Sequence, residues 1–280
     1  MSEPIWYVGP LGNLRPFVCP ERDVDVTVER FGGIFQGLSG ARSLNVTGLR
    51  QKFSFDFRYL DKAEFAWLEA LNMRVTPGPY RLLNPFKVNR LTAAASLCKS
   101  SGGSMEGAAL TTGFTTRVWD WPVAAGDIGS SAYKWTNRAG TGVVRLDDWK
   151  KTTVTPGEQI TGSVYLKGST AVTMFVGFDL FDRDNVSVTA PSFVSKSVTT
   201  AWTRQNVSIT VPANAVMAKL AFYTTNATPD ISFTAAQVEL GATPTAWELG
   251  GGAPVVSFDQ MSVVTPRFPY RNTTLTLLET

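Results

Sequence analysis

Val172-Thr173-Met174-Phe175-Val176-Gly177-Phe178-Asp179-Leu180 sets an apolar side chain at every second position. That period of two is the mark of a β-strand with one buried face. The pattern repeats on both sides. Thr155-Pro156-Gly157-Glu158 is a turn before a strand from Gln159 to Leu166, and Asp182-Arg183-Asp184-Asn185 is a turn after Leu180. Trp202 opens a strand that carries Val207, Ile209 and Val211 and stops at Pro212. Val216, Ala218, Leu220 and Phe222 form another face, and Ile231, Phe233 and Ala235 another. Short strands with turn residues between them predict a β-sandwich, and no helix of any length is expected here.

Working outward, two junctions bound this region. Ser100 to Gly107 is small and Gly/Ser-rich, and Gly250-Gly251-Gly252-Ala253-Pro254 is the second. Before the first, strands are expected at Ile5–Val8 (ended by Gly9-Pro10), Val24–Glu29, Leu44–Gly48 and Phe53–Phe57, with Gly32-Gly33 as a turn. The period then changes. Asp61 and Glu64 make a capping box, Phe65, Leu68 and Leu71 recur at helical spacing, and Thr76-Pro77-Gly78-Pro79 stops the run, so a helix is predicted over about 61–74. After the second junction, Val255–Phe258 and Thr273–Leu278 are extended. So short a tail cannot fold alone and should return to the first region. The expected organisation is a split β-rich base, 1–99 and 251–280, carrying an inserted domain at 100–250. The base has 13 Lys/Arg against 9 Asp/Glu up to Lys99, and the insert is nearly balanced at 11 against 12.

Composition removes several function classes. The 280 residues are 44% hydrophobic and 18% charged, with a net charge of +3, and no Lys/Arg run makes a stripe for nucleic acid. There is no histidine, which removes Ser-His-Asp and Cys-His catalysis and His-ligated zinc. Cys19 and Cys98 lie in no paired motif and are expected as free thiols. Met1-Ser2-Glu3-Pro4 lacks a signal-peptide pattern, and no apolar stretch approaches a membrane span. A soluble cytosolic product with no enzymatic activity and no membrane insertion is expected.

Three stretches carry a resemblance: Asn89-Arg90-Leu91, Trp202-Thr203-Arg204, and Ala236 to Trp247 with its Glu-Leu-Gly-x-x-x-Thr-Ala-Trp ending. Together they are similar to jelly-roll modules of the carbohydrate-binding families 4 and 9 type. The flanks resemble minor tail proteins of actinobacteriophages, through Trp6-Tyr7-Val8-Gly9-Pro10, Gly48 to Leu60, Tyr80 to Pro85 and Leu275 to Glu279. The layout of the base also resembles the ring-forming, tail-tube-like domain of distal tail proteins. The fold class implied is mainly β: a tail-tube-like β-sandwich base with one helix, plus an inserted jelly roll. The function implied is structural. The base would form a ring, taken as hexameric, joined to the tail tube and the baseplate hub or other minor tail proteins, in a virion tail assembled in the host cytoplasm. The jelly rolls would project outward. The alternative is a carbohydrate-binding adhesion module for host cell-wall polysaccharide.

Trp119, Trp121, Tyr133 and Trp135 are the residues expected to contact sugar, because aromatic faces stack on pyranose rings, with core packing as the competing role. Trp149, beside Asp147-Asp148 and Lys150-Lys151, is a lesser candidate, and Trp202 and Trp247 are expected in the core. Asp182, Asp184 and Asn185 carry oxygen donors but lack the spacing of a calcium loop, so a plain turn is preferred. Jelly rolls of this kind often hold a structural calcium; no ligand set maps onto this sequence, and no other cofactor is expected. Glu239 and Glu248 are read as structural acids.

Overall fold

The computed structural model describes residues 5–17, 24–37, 39–98, 100–101, 104–105, 108–136, 142–188 and 192–280. In chain order the elements are β1 (Trp6–Gly9), β2 (Arg15–Phe17), β3 (Asp25–Gln36), β4 (Arg42–Leu60), α1 (Lys62–Asn72), β5 (Tyr80–Leu83) and α2 (Ala93–Ser96). Then come β6 (Ser100–Ser101), β7 (Ser104–Met105), β8 (Ala108–Leu110), β9 (Phe114–Val118), a 3-10 turn at Val123–Ala125, β10 (Ala132–Thr136) and β11 (Gly142–Leu146). β12 (Thr152–Thr153), β13 (Gln159–Gly168), β14 (Val172–Phe181), β15 (Ser192–Val198), β16 (Thr203–Thr210), β17 (Met217–Thr224) and β18 (Ile231–Leu240) follow. β19 (Val255–Arg267) and β20 (Tyr270–Glu279) close the chain. The protein is mainly β.

Two compact units result: Met1–Leu82 with Pro254–Thr280, and Leu83–Ala253. The first is a seven-stranded sheet in the order β2-β1-β5-β19-β20-β4-β3. Both C-terminal strands enter its middle, β19 beside β5 and β20 beside β4, antiparallel in each case. Alternation along β4 sends Phe53, Phe55 and Phe57 inward with Trp6, Phe17, Leu275 and Leu277. The helix α1 covers this face, through Phe65, Leu68 and Leu71. The helix starts where the capping pattern predicts, with Asp61 Oδ1 accepting from the Glu64 amide at 2.7 Å.

One local expectation fails in the base. Gly32-Gly33 does not turn the chain. β3 runs through it with a bulge between Phe31 and Gly32, where Gly32 takes φ 139°, open to glycine. The reversal lies further on, where Gly37 N donates to Ala41 O at 2.8 Å. The hairpin is longer as a result.

The second unit is a sandwich of a five-stranded sheet, β16-β13-β18-β10-β9, and a six-stranded sheet, β15-β14-β17-β11-β8 with β12 on β17. Met174, Val176, Phe178, Leu220 and Phe222 from one sheet meet Val164, Leu166, Phe233 and Val238 from the other in a buried apolar core. Gly162 is fixed by this packing, since a Cβ there would sit 2.6 Å from Phe178 and 2.7 Å from Leu220. The expected Ile231–Phe233–Ala235 face is interrupted. Ala235 has φ 48° and the register slips opposite Ser163/Tyr165, so Ala236 and Val238 take over the inward positions.

The incoming and outgoing segments run side by side within this unit. Asn84 N bonds Gly252 O at 2.9 Å, Gly252 N bonds Asn89 O at 2.9 Å, and Gly251 N bonds Leu91 O at 2.7 Å. Gly250 lies so close that a Cβ would be 2.3 Å from Leu91 O. The division of the chain thus falls upstream of the Ser/Gly stretch expected to mark it, because Leu91, Ala95 and Cys98 already belong to the sandwich core. Cys98 is a free thiol whose pKa is pushed up by burial; Cys19 lies outside the described residues.

Candidate functional site

The four expected sugar contacts do not share a surface. Tyr133 and Trp135 point into the sandwich, 4% and 0% exposed, among the core side chains. Trp135 also donates from Nε1 to Thr112 O at 2.8 Å. Their strand alternation decides this: β10 pairs with β9 and β18, so every second residue must face the opposite sheet. Both are core residues, and direct sugar contact by them is ruled out on burial. Trp121 is half-buried, edge-on to Trp247 at 5.4 Å, with Nε1 donating to Gly126 O at 2.7 Å. Only Trp119 is open, at 76% exposure, with the Arg117 guanidinium 4.3 Å over its ring.

Trp121 instead helps close the outer side of the five-stranded sheet. Tyr165, Ala235, Ala125 and Trp247 form a small second core there, with Trp121, Trp202 and Leu97 packed against it. Trp202 and Trp247 therefore lie outside the main sandwich core. Asp120 ties the cluster together, accepting from Lys167 Nζ at 2.8 Å and from Trp202 Nε1 at 3.0 Å. The hydrogen bond from Lys167 holds its carboxyl below the usual range; burial opposes this, and the Trp202 bond and the Lys167 charge add to it. The Glu-Leu-Gly ending has a physical role. Glu239 is fully buried and accepts from Thr245 N (3.0 Å), Thr245 Oγ1 (2.6 Å) and Gln237 Nε2 (2.8 Å), which pins the segment leading to Trp247.

The outer side of the six-stranded sheet is different. Its cross-strand rows are set by the register. One row holds Ser195, Phe175, Tyr223 and Val143; the next holds Phe193, Gly177, Ala221 and Arg145; a third pairs Asp179 with Lys219. Phe175 and Tyr223 stack at 4.7 Å and 12°, and Phe193 stands edge-on to Tyr223 at 4.9 Å. Arg145 Nε meets Asp179 Oδ2 at 2.6 Å, and Lys219 Nζ meets Asp148 Oδ1 at 2.6 Å. Gly177 and Ala221 add almost no side chain between the aromatic and the charged rows. The result is a trough with an aromatic wall on one side and bonded donors and acceptors on the other.

Sequence reading passed over this face, although a signal existed. The alternation that turns Val176 and Phe178 into the sandwich puts Phe175, Gly177 and Asp179 on the outer side of the sheet, where Phe175 is half-buried and Gly177 and Asp179 are buried beneath their neighbours. Aromatic residues stand at positions that the pattern would otherwise give to polar side chains. The chemistry offered is ring stacking plus hydrogen bonding. Both carboxylates on the face, Asp179 and Asp148, are already engaged with cations. Among the described residues no group of three or more acidic, cysteine or histidine side chains gathers to hold a metal. Asp182 serves its turn, accepting at Oδ1 from Asp184 N (2.9 Å) and Val186 N (2.8 Å). No helix among the described residues is long and apolar enough to cross a membrane.

No family model matches the sequence, and no curated protein matches it. Among solved structures, the enzymatically active domain of bacteriophage CBA120 tailspike protein 4 is similar at 14% identity and a TM-score of 0.45, over 55% of this chain and 22% of that one. The family 22 carbohydrate-binding and catalytic modules of a Clostridium thermocellum xylanase, complexed with xylohexaose, match at 15% identity and TM-score 0.40, over 57% of this chain and 30% of that one. A family 22 xylan-binding domain from Paenibacillus barcinonensis matches at 14% identity and TM-score 0.41, over 56% of this chain and 97% of that one. The chain thus spans less than a third of the length of the first two.

Proposed function

We propose that this chain is a non-enzymatic, glycan-binding component of a phage tail, whose inserted sandwich takes a polysaccharide on the outer side of the six-stranded sheet. The observation that carries the reading is the trough itself: Phe175, Tyr223 and Phe193 beside the Arg145–Asp179 and Lys219–Asp148 pairs. Aromatic faces cover the apolar side of a pyranose, and fixed donors and acceptors select its hydroxyls. The charges are paired with each other, which favours a neutral sugar over a polyanion. The test is retention on host cell-wall polysaccharide in affinity electrophoresis. Phe175→Ala with Tyr223→Ala should abolish retardation while leaving the melting temperature within a few degrees. Retardation unchanged by the double substitution sinks the reading.

The base supports a second role, assembly with copies of itself. β3 is an edge strand, and most of its side chains are exposed on both faces. Val28, Phe31, Ile34 and Phe35 on it, and Leu49 on β4, are all at least half exposed. A two-stranded ribbon with that much open apolar surface is marginal alone and is completed by another chain. We read it as the subunit contact of a ring, taken as hexameric from the resemblance to distal tail proteins, which joins the tail tube and hub. The virion tail, assembled in the host cytoplasm, is the matching location. Native mass spectrometry at micromolar concentration tests this. A strict monomer absent from purified tails refutes it.

A further inference from the structure

The turn between β11 and β12 carries a feature that core packing does not explain. Trp149 at its tip is 84% exposed. An indole left in water on a mobile loop would be unremarkable, but this turn is held at both ends. Asp147 and Lys151 both take left-handed backbone angles, φ 53° and 51°, and Lys151 N bonds Asp147 O at 2.7 Å. Non-glycine residues hold that conformation only where surroundings fix them. Here the Asp147 carboxylate accepts from Thr92 N at 2.8 Å and from Thr92 Oγ1, the residue that caps α2. On either side of Trp149 the turn grips the trough: Asp148 bonds Lys219, and the Lys151 ammonium stands 5.3 Å over Phe181, which Lys219 also covers at 4.7 Å.

We propose that Trp149 is a second, preorganised stacking platform at the far end of the trough, and that the ligand is an extended sugar chain rather than a single terminal sugar. This rests on reading the trough as the glycan site. Tyr223 and Lys219 share one face of β17, about 13 Å apart along the strand at about 3.3 Å per residue. Trp149 adjoins the Lys219 end through Asp148. One pyranose covers the aromatic row or the tryptophan but not both, so only a chain of several units lying along β17 uses the whole surface. The rigid turn means that little loop ordering opposes binding.

The experiment is calorimetric titration of the full chain with cello-, xylo- and galacto-oligosaccharides from single sugars to hexamers, and with size-fractionated host cell-wall polysaccharide. Wild type should gain affinity steeply with chain length. Trp149→Ala should lose about tenfold on the long chains and nothing on the shortest that bind, and Trp149→Phe should recover most of the loss. Because Trp149 is solvent-exposed, the alanine variant should melt like wild type. If wild type binds and Tyr223→Ala weakens it, but Trp149→Ala matches wild type at every length, the platform is wrong and the trough stands. If wild type binds no member of either set, both fall together.

Discussion

Replacing Asn89 with alanine should unfold the inserted sandwich far more easily than its single amide suggests. The side chain is fully buried and uses all of its hydrogen-bonding capacity. Oδ1 accepts from Leu91 N and Val238 N, both at 3.1 Å; Nδ2 donates to Ala236 O at 3.0 Å and Glu248 O at 2.8 Å. It thereby joins the incoming segment, β18 and the outgoing segment. Four backbone groups lose this partner, but Ala236 O keeps a second donor, Trp247 Nε1 at 3.1 Å, so three bear the cost. Each such buried group costs about 1–3 kcal/mol, and partial relaxation puts the total near the lower end, at about 3–5 kcal/mol. For a unit of this size that is a fall in melting temperature of about 10 °C. Urea titration measures the free energy, and hydrogen exchange of the β18 amides localises it. Asn89→Asp, which keeps both acceptor bonds, separates the two halves of the network. A loss for Asn89→Ala below about 1 kcal/mol, with β18 protection intact, would refute the reasoning.

Three further outcomes follow from burial and charge. Trp135→Ala should destabilise by about 3–5 kcal/mol in thermal or urea melts, whereas Trp119→Ala should change stability by less than about 0.5 kcal/mol, since one ring fills the core and the other stands in water. In the native protein Cys98 should resist thiol reagents at pH 8 and react only on unfolding, because burial raises its pKa; rapid native labelling, mapped by peptide mass spectrometry, would contradict its placement. Asp120 has a folded pKa below its unfolded one, so its contribution is present above the ordinary carboxylate pKa and fades as pH falls through the lowered value. The melting difference between wild type and Asp120→Asn should therefore shrink as the buffer is taken from neutral to strongly acid; a difference that grows would reverse the sign of the argument.

Alternation and capping were legible without coordinates, because they are local. Val172 to Leu180 reads as a half-buried strand, and Asp61 to Leu71 as a capped amphipathic helix, whatever surrounds them. The return of the C-terminal strands to the base was legible too, since so short a tail cannot bury its own apolar face. Tertiary structure decided the rest. Tyr133 and Trp135 are candidates for sugar contact by residue type alone, but β10 lies between two strands of a sheet, and one of its sides must face the opposite layer. Ala235 belongs to one strand face by counting and to the other in fact, because a bulge shifts parity by one residue. The trough needed three strands from distant parts of the chain, brought into register so that Phe175, Tyr223, Arg145 and Asp179 stand together. Periodicity says which side of a strand is wet; only the pairing of strands says which wet side chains become neighbours, and binding depends on the neighbours.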